Sequence, residues 1–175
     1  DLTKSDDVDQ FVKKNKCFEI LIFLVGLAHS KGTNATKDSH MMTNYESLVN
    51  CLESMKKHKK LPKMIIFFST ISVYGEDKNK IVFDEDSILN PISPYAVSKM
   101  YAEDYLNLNF PSISWILRLA PVYSDDFKLN IERRTKVKNT FYQPGDGLKK
   151  LSLCNILNID IIIANIISEN IPPDT

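Results

Sequence analysis

Glycine is scarce in this chain, which has five glycines in 175 residues, at positions 26, 32, 75, 145 and 147. They do not form the glycine-rich turn, Gly-x-x-Gly-x-x-Gly, that cradles a pyrophosphate where a strand passes into a helix. A phosphate-binding turn of that kind is therefore excluded from the 175 residues of this sequence.

Cysteines are few as well. Cys17, Cys51 and Cys154 are scattered, and their odd number and wide spacing match no disulfide framework or metal motif. They predict free, mostly buried thiols in a reducing compartment, and no metal site. No apolar run approaches the ~20 residues that a membrane span needs. The chain starts with the polar stretch Asp1–Lys4, unlike a signal peptide, so we expect a soluble cytoplasmic protein without a membrane partner.

The chain also lacks an excess of either charge, because 22 basic and 22 acidic side chains cancel. No global field therefore favours nucleic acid or an anionic membrane as a partner. The lysines between Lys56 and Lys63 do cluster, and we predict that they form a solvated helix terminus. With 43% hydrophobic and 25% charged residues, the composition is that of an ordinary globular protein.

What the sequence does contain is an alternation of helical and strand patterns. Apolar residues at helical spacing predict helices, and continuous apolar runs rich in branched residues predict strands buried on both faces. The predicted helices cover residues 4–15, 41–60 and 94–109, the predicted strands cover 20–25, 64–68 and 114–119, and the polar segment 29–40 is predicted as a loop. This alternation predicts an α/β fold in which helices lie on the faces of a parallel sheet.

The pattern loosens in the last third of the chain. A turn is predicted at Gln143–Gly147, and the isoleucine-rich segment 152–168 predicts a buried helix. We expect this part to pack over the carboxyl ends of the strands, where open parallel sheets bind ligands.

Side chains suited to proton transfer follow the strand predicted at 64–68. Ser69 and Thr70 come at the strand's carboxyl end, and Tyr95 and Lys99 lie four residues apart on one face of the next helix. A hydroxyl, a phenol and an ammonium are the groups needed to remove a proton from a substrate alcohol at neutral pH.

Tyr74 and Lys78 repeat the same spacing. They lie in a loop rich in charge, whereas Tyr95 and Lys99 share a helix for which Ser93 is a natural cap. We therefore predict that Tyr95 and Lys99 are the functional pair.

The residues around this pair form a larger pattern over residues 1–125. Its members are Asp1-Leu2-Thr3, Leu24-Val25-Gly26-Leu27-Ala28, Asn44, Ser69-Thr70, Val73-Tyr74-Gly75, Glu85, Pro91, Pro94-Tyr95, Ser98-Lys99, Glu103, Leu117-Arg118 and Val122-Tyr123. In order and spacing they resemble the extended short-chain dehydrogenase/reductase family, specifically its NAD-dependent nucleotide-sugar epimerases and dehydratases, with UDP-glucose 4-epimerase-like enzymes among them. The resemblance is weaker after Tyr123.

The resemblance implies a Rossmann-like doubly wound parallel sheet. Residues 1–123 would form a partial dinucleotide-binding domain, and residues 124–175 a small, partial substrate-binding region. Because the family's first strand–helix units and its glycine-rich turn have no counterpart in this sequence, we expect the natural protein to extend before Asp1 and beyond Thr175.

The resemblance also assigns catalytic roles to Thr70, Tyr95 and Lys99. Tyr95 would take the proton of a sugar hydroxyl while hydride leaves the same carbon for the cofactor, and an epimerase would return the hydride to the other face. Thr70 would hydrogen-bond the reacting oxygen, and Lys99 would hold the cofactor ribose. Since a phenol with a pKa of about 10 is a weak base at pH 7, the cation of Lys99 is expected to lower the pKa of Tyr95.

The implied cofactor is NAD, with NADP not excluded, and the implied partner is a nucleotide-sugar substrate. The cofactor-binding positions would be Asp1, Leu2, Leu24, Val25, Gly26, Asn44, Tyr95 and Lys99. Asp1 and Leu2 would contact adenine, and Gly26 would allow a close approach of the backbone. The substrate-binding positions would be Thr70, Tyr95 and Asn130, with Lys149 and Lys150 as candidates for its phosphates.

Some positions depart from the family's pattern. Phe23 replaces a His, Pro121 stands where epimerases often have a substrate-contacting Asn, and Ser124 stands where Gly is usual. Asn155 and Asn158 fall near the family's His or Tyr and its Asp. These departures leave the identity of the sugar open.

Three hypotheses follow. The leading one is an NAD-dependent nucleotide-sugar epimerase or dehydratase. The second is a catalytically incompetent partial domain, or a binding and regulatory relative, because the phosphate-binding turn is missing from the sequence. The third is a reductase of a keto sugar. As in the family, we expect a homodimer through a bundle of the helices 41–60 and 94–109.

Overall fold

The computed structural model describes residues 1–28, 35–75, 82–138, 140–142, 146 and 151–173. The chain divides into two compact units. The first comprises residues 1–118 with the chain end from 173, and the second comprises residues 119–172.

A three-stranded sheet forms the centre of the first unit, with strand order β1-β2-β3. The strands are β1 (Ile20–Phe23), β2 (Met64–Thr70) and β3 (Ser114–Leu119). β1 and β2 are parallel, with Ile20 opposite Met64. The side chains of Ile65, Ile66 and Phe67 are fully buried, as expected for the middle strand of a covered sheet.

In the described part of this unit, four α-helices accompany the sheet: α1 (Ser5–Lys14), α2 (Lys37–Met41), α3 (Ser47–Lys57) and α4 (Pro94–Asn109). A π-helical turn, Met42–Glu46, joins α2 to α3 without a break. α1 packs against α3. The shared core includes Val8, Val12, Leu48, Leu52, Phe67 and Leu106, so the amphipathic faces predicted from the sequence do cover the sheet.

The prediction for α4 is confirmed at both ends. The Ser93 hydroxyl accepts a hydrogen bond from the Ala96 amide, and Pro94 occupies the first turn, where its missing N–H costs nothing. The strand predicted at 114–119 is confirmed as β3.

The prediction for β1 is wrong in two respects. The strand ends at Phe23 rather than at Val25, and Ile22 and Leu24 are exposed rather than buried. Because β1 is the edge of the three-stranded sheet, its side chains have strand neighbours on one flank only.

The loop predicted at 29–40 is also wrong at its end. α2 already begins at Lys37, and the Thr36 hydroxyl caps it by accepting from the Ser39 amide at 3.1 Å. Because these residues are polar, they show no apolar pattern that would predict a helix. One of them, His40, is nevertheless buried.

The second unit consists of short elements. β4 (Val122–Tyr123) pairs in parallel with β7 (Cys154–Asn155), and β5 (Lys136–Val137) pairs antiparallel with β6 (Thr140–Phe141). α5 (Leu129–Thr135) follows β4, and α6 (Ile156–Ile167) follows β7.

The helix predicted at 152–168 is present as α6, but it is not a buried helix. Ile159 and Ile166 are buried, whereas Leu157 and Ile161 are more than half exposed. A helix covered along one stripe leaves its other faces in solvent, whatever their composition. The turn predicted at Gln143–Gly147 lies outside the described residues except for Asp146.

The cysteines are all free, but only Cys51 is buried; Cys154 is partly buried and Cys17 is exposed. In the lysine cluster, Lys60 donates from Nζ to the carbonyls of Val12, Lys13 and Asn15 at 2.8, 2.9 and 2.7 Å. The cluster therefore also stabilises the carboxyl end of α1.

The described part of the chain contains no helix with the length and apolar character required to cross a membrane. In the same residues, no three His, Cys, Asp or Glu side chains form a group that could hold a metal ion.

Candidate active site

Thr70 is the last residue of β2 and marks the point where the chain leaves the sheet. Its Oγ1 accepts from the Ser72 amide at 3.2 Å, which caps the 3₁₀ turn Ile71–Tyr74. The capping bond fixes the buried hydroxyl at the carboxyl end of the strand, the edge at which open α/β sheets bind ligands.

Tyr95 lies in the first turn of α4 and meets this hydroxyl. Its phenol and the Thr70 side chain are hydrogen-bonded. Burial raises the pKa of Tyr95 above its ordinary value, and the bond to Thr70 acts in the opposite direction. The expectation of a lowered pKa is therefore wrong for the protein alone, because loss of hydration destabilises the phenolate.

Lys99 follows one turn later on α4 and is only 4% exposed. Its Nζ donates to the Phe68 carbonyl at 2.8 Å and lies 4.6 Å from the centre of the Phe67 ring. Burial lowers the pKa of Lys99 to about 8, although the charge of Glu103 favours the ammonium. β2 thus supplies a partner to Lys99 and, two residues later, the hydroxyl that Tyr95 contacts.

Gly26 and Asn44 lie beside Lys99. A Cβ atom at Gly26 would come within 3.4 Å of Lys99 Nζ and 3.5 Å of Asn44 Oδ1. Asn44 is fully buried in the π-helical turn, and its Oδ1 accepts from the Leu27 amide at 2.6 Å. Its Nδ2 donates to the Leu27 carbonyl at 3.2 Å and to Ser98 Oγ at 2.9 Å. Asn44 therefore joins the chain after β1 to α4.

His40 is a further residue of this site, which the sequence patterns did not indicate. Its ring lies edge-on to the Tyr95 ring, with centroids 6.3 Å apart, and Nδ1 donates to the Leu27 carbonyl at 3.0 Å. A carbonyl can only accept, so Nδ1 carries the hydrogen. The available signal was the spacing of four residues between His40 and Asn44, which places both on one helix face.

Glu103, which is fully buried, and Arg118, which is partly buried, form an ion pair next to β2. Glu103 Oε2 accepts from Arg118 Nε at 3.0 Å and from Nη2 at 2.9 Å, and Glu103 Oε1 accepts from the Ser69 hydroxyl. Arg118 Nη1 also donates to the Tyr74 hydroxyl at 3.0 Å and to the Glu85 carbonyl at 3.1 Å. Glu103 and Arg118 belong to the family pattern found in the sequence, but that pattern assigned no role to them.

The other predicted positions lie elsewhere. Asp1 Oδ1 accepts from the Thr3 amide and hydroxyl, and the Leu2 carbonyl accepts from Asn50. Val25 packs against the core, whereas Leu24 is 68% exposed.

Asn130 belongs to the second compact unit, where its amide donates to the Val122 carbonyl at 2.8 Å. Lys149 and Lys150 lie outside the described residues. Lys78, which repeats the spacing with Tyr74, also lies outside the described residues. Its partner Tyr74 is buried and contacts Arg118.

The structure therefore brings Gly26, Asn44, Thr70, Tyr95 and Lys99 together at the carboxyl end of β2. The cluster offers a phenol, a hydroxyl and an amine whose remaining N–H groups have no hydrogen-bond partner within the described residues. These groups can hold an alcohol and exchange a proton with it.

Comparison with known proteins identifies a family and relatives that this chain resembles. The profile of the NAD dependent epimerase/dehydratase family matches residues 1–142. A candidate UDP-glucose 4-epimerase of Methanocaldococcus jannaschii is 36% identical over 85 residues, which are 47% of this chain and 27% of that protein.

Two solved structures are also similar to this chain. A UDP-glucose 4-epimerase from Bifidobacterium longum, in complex with NAD⁺ and UDP, has a TM-score of 0.58 and 26% identity, over 70% of this chain and 37% of that one. A dTDP-glucose 4,6-dehydratase from Streptomyces venezuelae with NAD bound has a TM-score of 0.72 at 17% identity, over 95% of this chain and 52% of that one. The chain thus has a Rossmann-like α/β fold and spans about half of these proteins or less.

Proposed function

The chain belongs to the NAD-dependent epimerase/dehydratase family, which is a family of enzymes, and on that premise we propose that its protein is an NAD-dependent nucleotide-sugar epimerase or dehydratase. The substrate is a sugar attached to a nucleoside diphosphate, and the reacting group is a secondary alcohol of that sugar. The candidate UDP-glucose 4-epimerase and the solved UDP-glucose 4-epimerase support this substrate class.

The observation that carries the proposal is the contact between Tyr95 and Thr70. A phenol and a hydroxyl from different elements are hydrogen-bonded at the carboxyl end of the middle strand, one helical turn from a buried lysine. An alcohol oxygen placed between the two oxygens would receive a hydrogen bond from Thr70 and transfer its proton to Tyr95.

The residues present fit the ribose end of a nicotinamide cofactor. The Lys99 ammonium has three N–H groups, and its hydrogen bond to the Phe68 carbonyl uses one of them, so two suit ribose hydroxyls. Gly26 is exposed and lacks the Cβ that would crowd Lys99, so its backbone accommodates a flat ligand closely. When bound, the cofactor supplies the hydride acceptor, and the protein supplies placement and the proton.

Tyr95 acts as the acid/base at its phenolic oxygen. Burial holds its pKa high in the protein alone, so the phenol is protonated at neutral pH and ready to act as an acid. To act as a base it needs a lower pKa, which a cationic ring beside it favours in the complex. Thr70 already contributes in that direction.

The second candidate is a binding or regulatory relative without turnover. The observation that favours it is the lack of a Gly-x-x-Gly-x-x-Gly turn within these 175 residues, because the cofactor pyrophosphate then has no such cradle in this sequence. A keto-sugar reductase differs from both in consuming reduced cofactor in net turnover.

The experiment adds NAD and a panel of UDP- and dTDP-sugars to the protein and follows the sugar by proton NMR. An inverted carbinol centre supports an epimerase, and a 4-keto sugar formed by loss of water supports a dehydratase. Stoichiometric binding of NAD by the protein contradicts the second candidate, because that candidate rests on the lack of a cradle for the cofactor pyrophosphate. Net oxidation of added NADH by a keto sugar favours the reductase, and a protein that neither binds NAD nor converts a sugar contradicts the proposal.

We also propose that Asn130 contacts the substrate and that two copies pair through α3 and α4. The pairing is supported by the exposed apolar side chains of Tyr101 and Leu108 on α4 and of Met42 in the π-helical turn that leads into α3. Light scattering of Leu108→Lys against the unchanged protein tests it, because a buried lysine at the interface weakens pairing.

A further inference from the structure

Glu103 is the one acidic side chain on α4 that is completely buried among the described residues. It lies four residues after Lys99, on the same helix face. Both carboxylate oxygens are used: Oε2 by two N–H groups of Arg118 and Oε1 by Ser69. A buried carboxylate is tolerated only with such partners.

The Ser69 contact matters because of the two residues that flank it on β2. Phe68 accepts the hydrogen bond from Lys99 Nζ at 2.8 Å, and Thr70 is bonded to the Tyr95 phenol. Glu103 therefore fixes Ser69 on β2. The residues on either side of Ser69 contact the two functional side chains of α4, Lys99 and Tyr95. A shift of Ser69 would move both contacts together.

We propose that Glu103 is a positioning residue, which holds Lys99 and the end of β2 in register by bridging Ser69 and Arg118. It acts through Lys99 and Thr70 and does not touch the reacting sugar. Its consequence for turnover rests on the function proposed for those two residues, but the arrangement itself does not.

The carboxylate has a second effect, which is electrostatic. Its charge favours the ammonium form of Lys99 against burial, which lowers the pKa of Lys99 to about 8. The other ionisable groups of this region are Tyr95 on α4, Arg118 on β3, Tyr74 after β2 and His40 on α2. Glu103 is the anion that favours the ammonium form, so its loss leaves Lys99 without that favourable charge within the described residues.

The experiment measures the titration of the Lys99 Nζ group by nitrogen-15 NMR in the protein without cofactor or substrate, with Lys99→Arg to assign the signal. Glu103→Gln keeps the shape of the side chain and removes its charge. Asp104→Asn is the matched control, because it makes the same chemical change at the next residue of α4, which is exposed. Should Glu103→Gln fail to fold, Glu103→Met with Arg118→Met takes its place, because removing both partners leaves no unpaired buried charge.

We expect Glu103→Gln to lower the pKa of Lys99 by at least about one unit. The double variant removes an anion and a cation together, so we expect it to lower this pKa by less, but by more than the control does. The control should shift it by less than about 0.3 units, because an exposed charge is screened. Equal Lys99 titrations in Glu103→Gln and Asp104→Asn would overturn the proposal. Since the titration needs neither NAD nor a sugar, its result stands apart from that of the turnover experiment.

Discussion

The Tyr95 phenol and the Thr70 hydroxyl are hydrogen-bonded between the first turn of α4 and the last residue of β2. Burial raises the pKa of Tyr95, and this bond lowers it. A hydrogen bond from a hydroxyl is stronger to a phenolate than to a neutral phenol, so this contact favours the charged form. The two residues therefore act as one unit in setting the acidity of the site.

The first prediction concerns this bond. Thr70→Val keeps the shape of the side chain but removes the donor, so the pKa of Tyr95 should rise further above its ordinary value. The measurement is the ultraviolet absorbance of tyrosinate as a function of pH, with Tyr95→Phe to identify the contribution of Tyr95. A pKa of Tyr95 that is lower in Thr70→Val than in the unchanged protein would show that Thr70 does not stabilise the phenolate.

A second prediction compares two glycines. Gly75 has a φ of +71°, and a Cβ there would lie 2.0 Å from the Asn90 carbonyl oxygen, so Gly75→Ala must displace backbone. We expect it to lower the free energy of unfolding by at least about 2 kcal/mol, from strain and the clash. Gly26→Ala, where the nearest atom is Lys99 Nζ at 3.4 Å, an ordinary contact distance, should cost less than about 1 kcal/mol. Urea denaturation of both variants measures this difference, and equal losses would contradict it.

A third prediction concerns Asn44, which is fully buried and makes hydrogen bonds to Leu27 and Ser98. Asn44→Ala leaves the partly buried Leu27 amide without its partner and removes two further hydrogen bonds of a fully buried side chain, so it should cost at least about 2 kcal/mol of unfolding free energy. Asn50→Ala, on α3, removes one bond to the Leu2 carbonyl and should cost about 1 kcal/mol or less. Thermal unfolding of the pair tests this, and a smaller loss for Asn44→Ala than for Asn50→Ala would count against the role of Asn44 as a structural junction.

A fourth prediction concerns pH. Burial lowers the pKa of Lys99 to about 8, so Lys99 is an ammonium below that pH and an amine above it. If its ammonium holds the cofactor ribose, the affinity for NAD should fall as the pH rises through about 8. Calorimetric titration with NAD on either side of that pH is the measurement. Lys99→Arg stays charged throughout and should lack the step; a step of the same size in Lys99→Arg would assign it to another group.

Local signals in the sequence sufficed for part of the fold. Ser93, Pro94 and Pro111 act on their own neighbours, so the bounds of α4 were predictable. The exposure of Ile22 was not, because it depends on which strand becomes the edge of the sheet. The start of α2 at Lys37 was not predictable, because its residues are polar and because its cap by Thr36 depends on the backbone geometry.

The site was predictable to a similar degree. The spacing of Tyr95 and Lys99 placed them on one face, and the family pattern added Thr70, which the structure brings to Tyr95. The direction of the pKa of Tyr95 was not readable, because burial is a property of the packed protein. The pairing of Glu103 with Arg118 joins α4 to β3, and no local pattern reports which distant charges meet.

The most direct test of the central claim is the conversion of a nucleotide sugar by Tyr95→Phe in the presence of NAD. Phenylalanine keeps the ring and removes the proton-transferring oxygen, so we expect turnover to fall by about 10²-fold or more while NAD is still bound. Tyr101→Phe is the matched control, because Tyr101 is an exposed tyrosine on the same helix, and it should retain turnover. A Tyr95→Phe protein that converts the sugar as fast as Tyr101→Phe would contradict the assignment of Tyr95 as the acid/base.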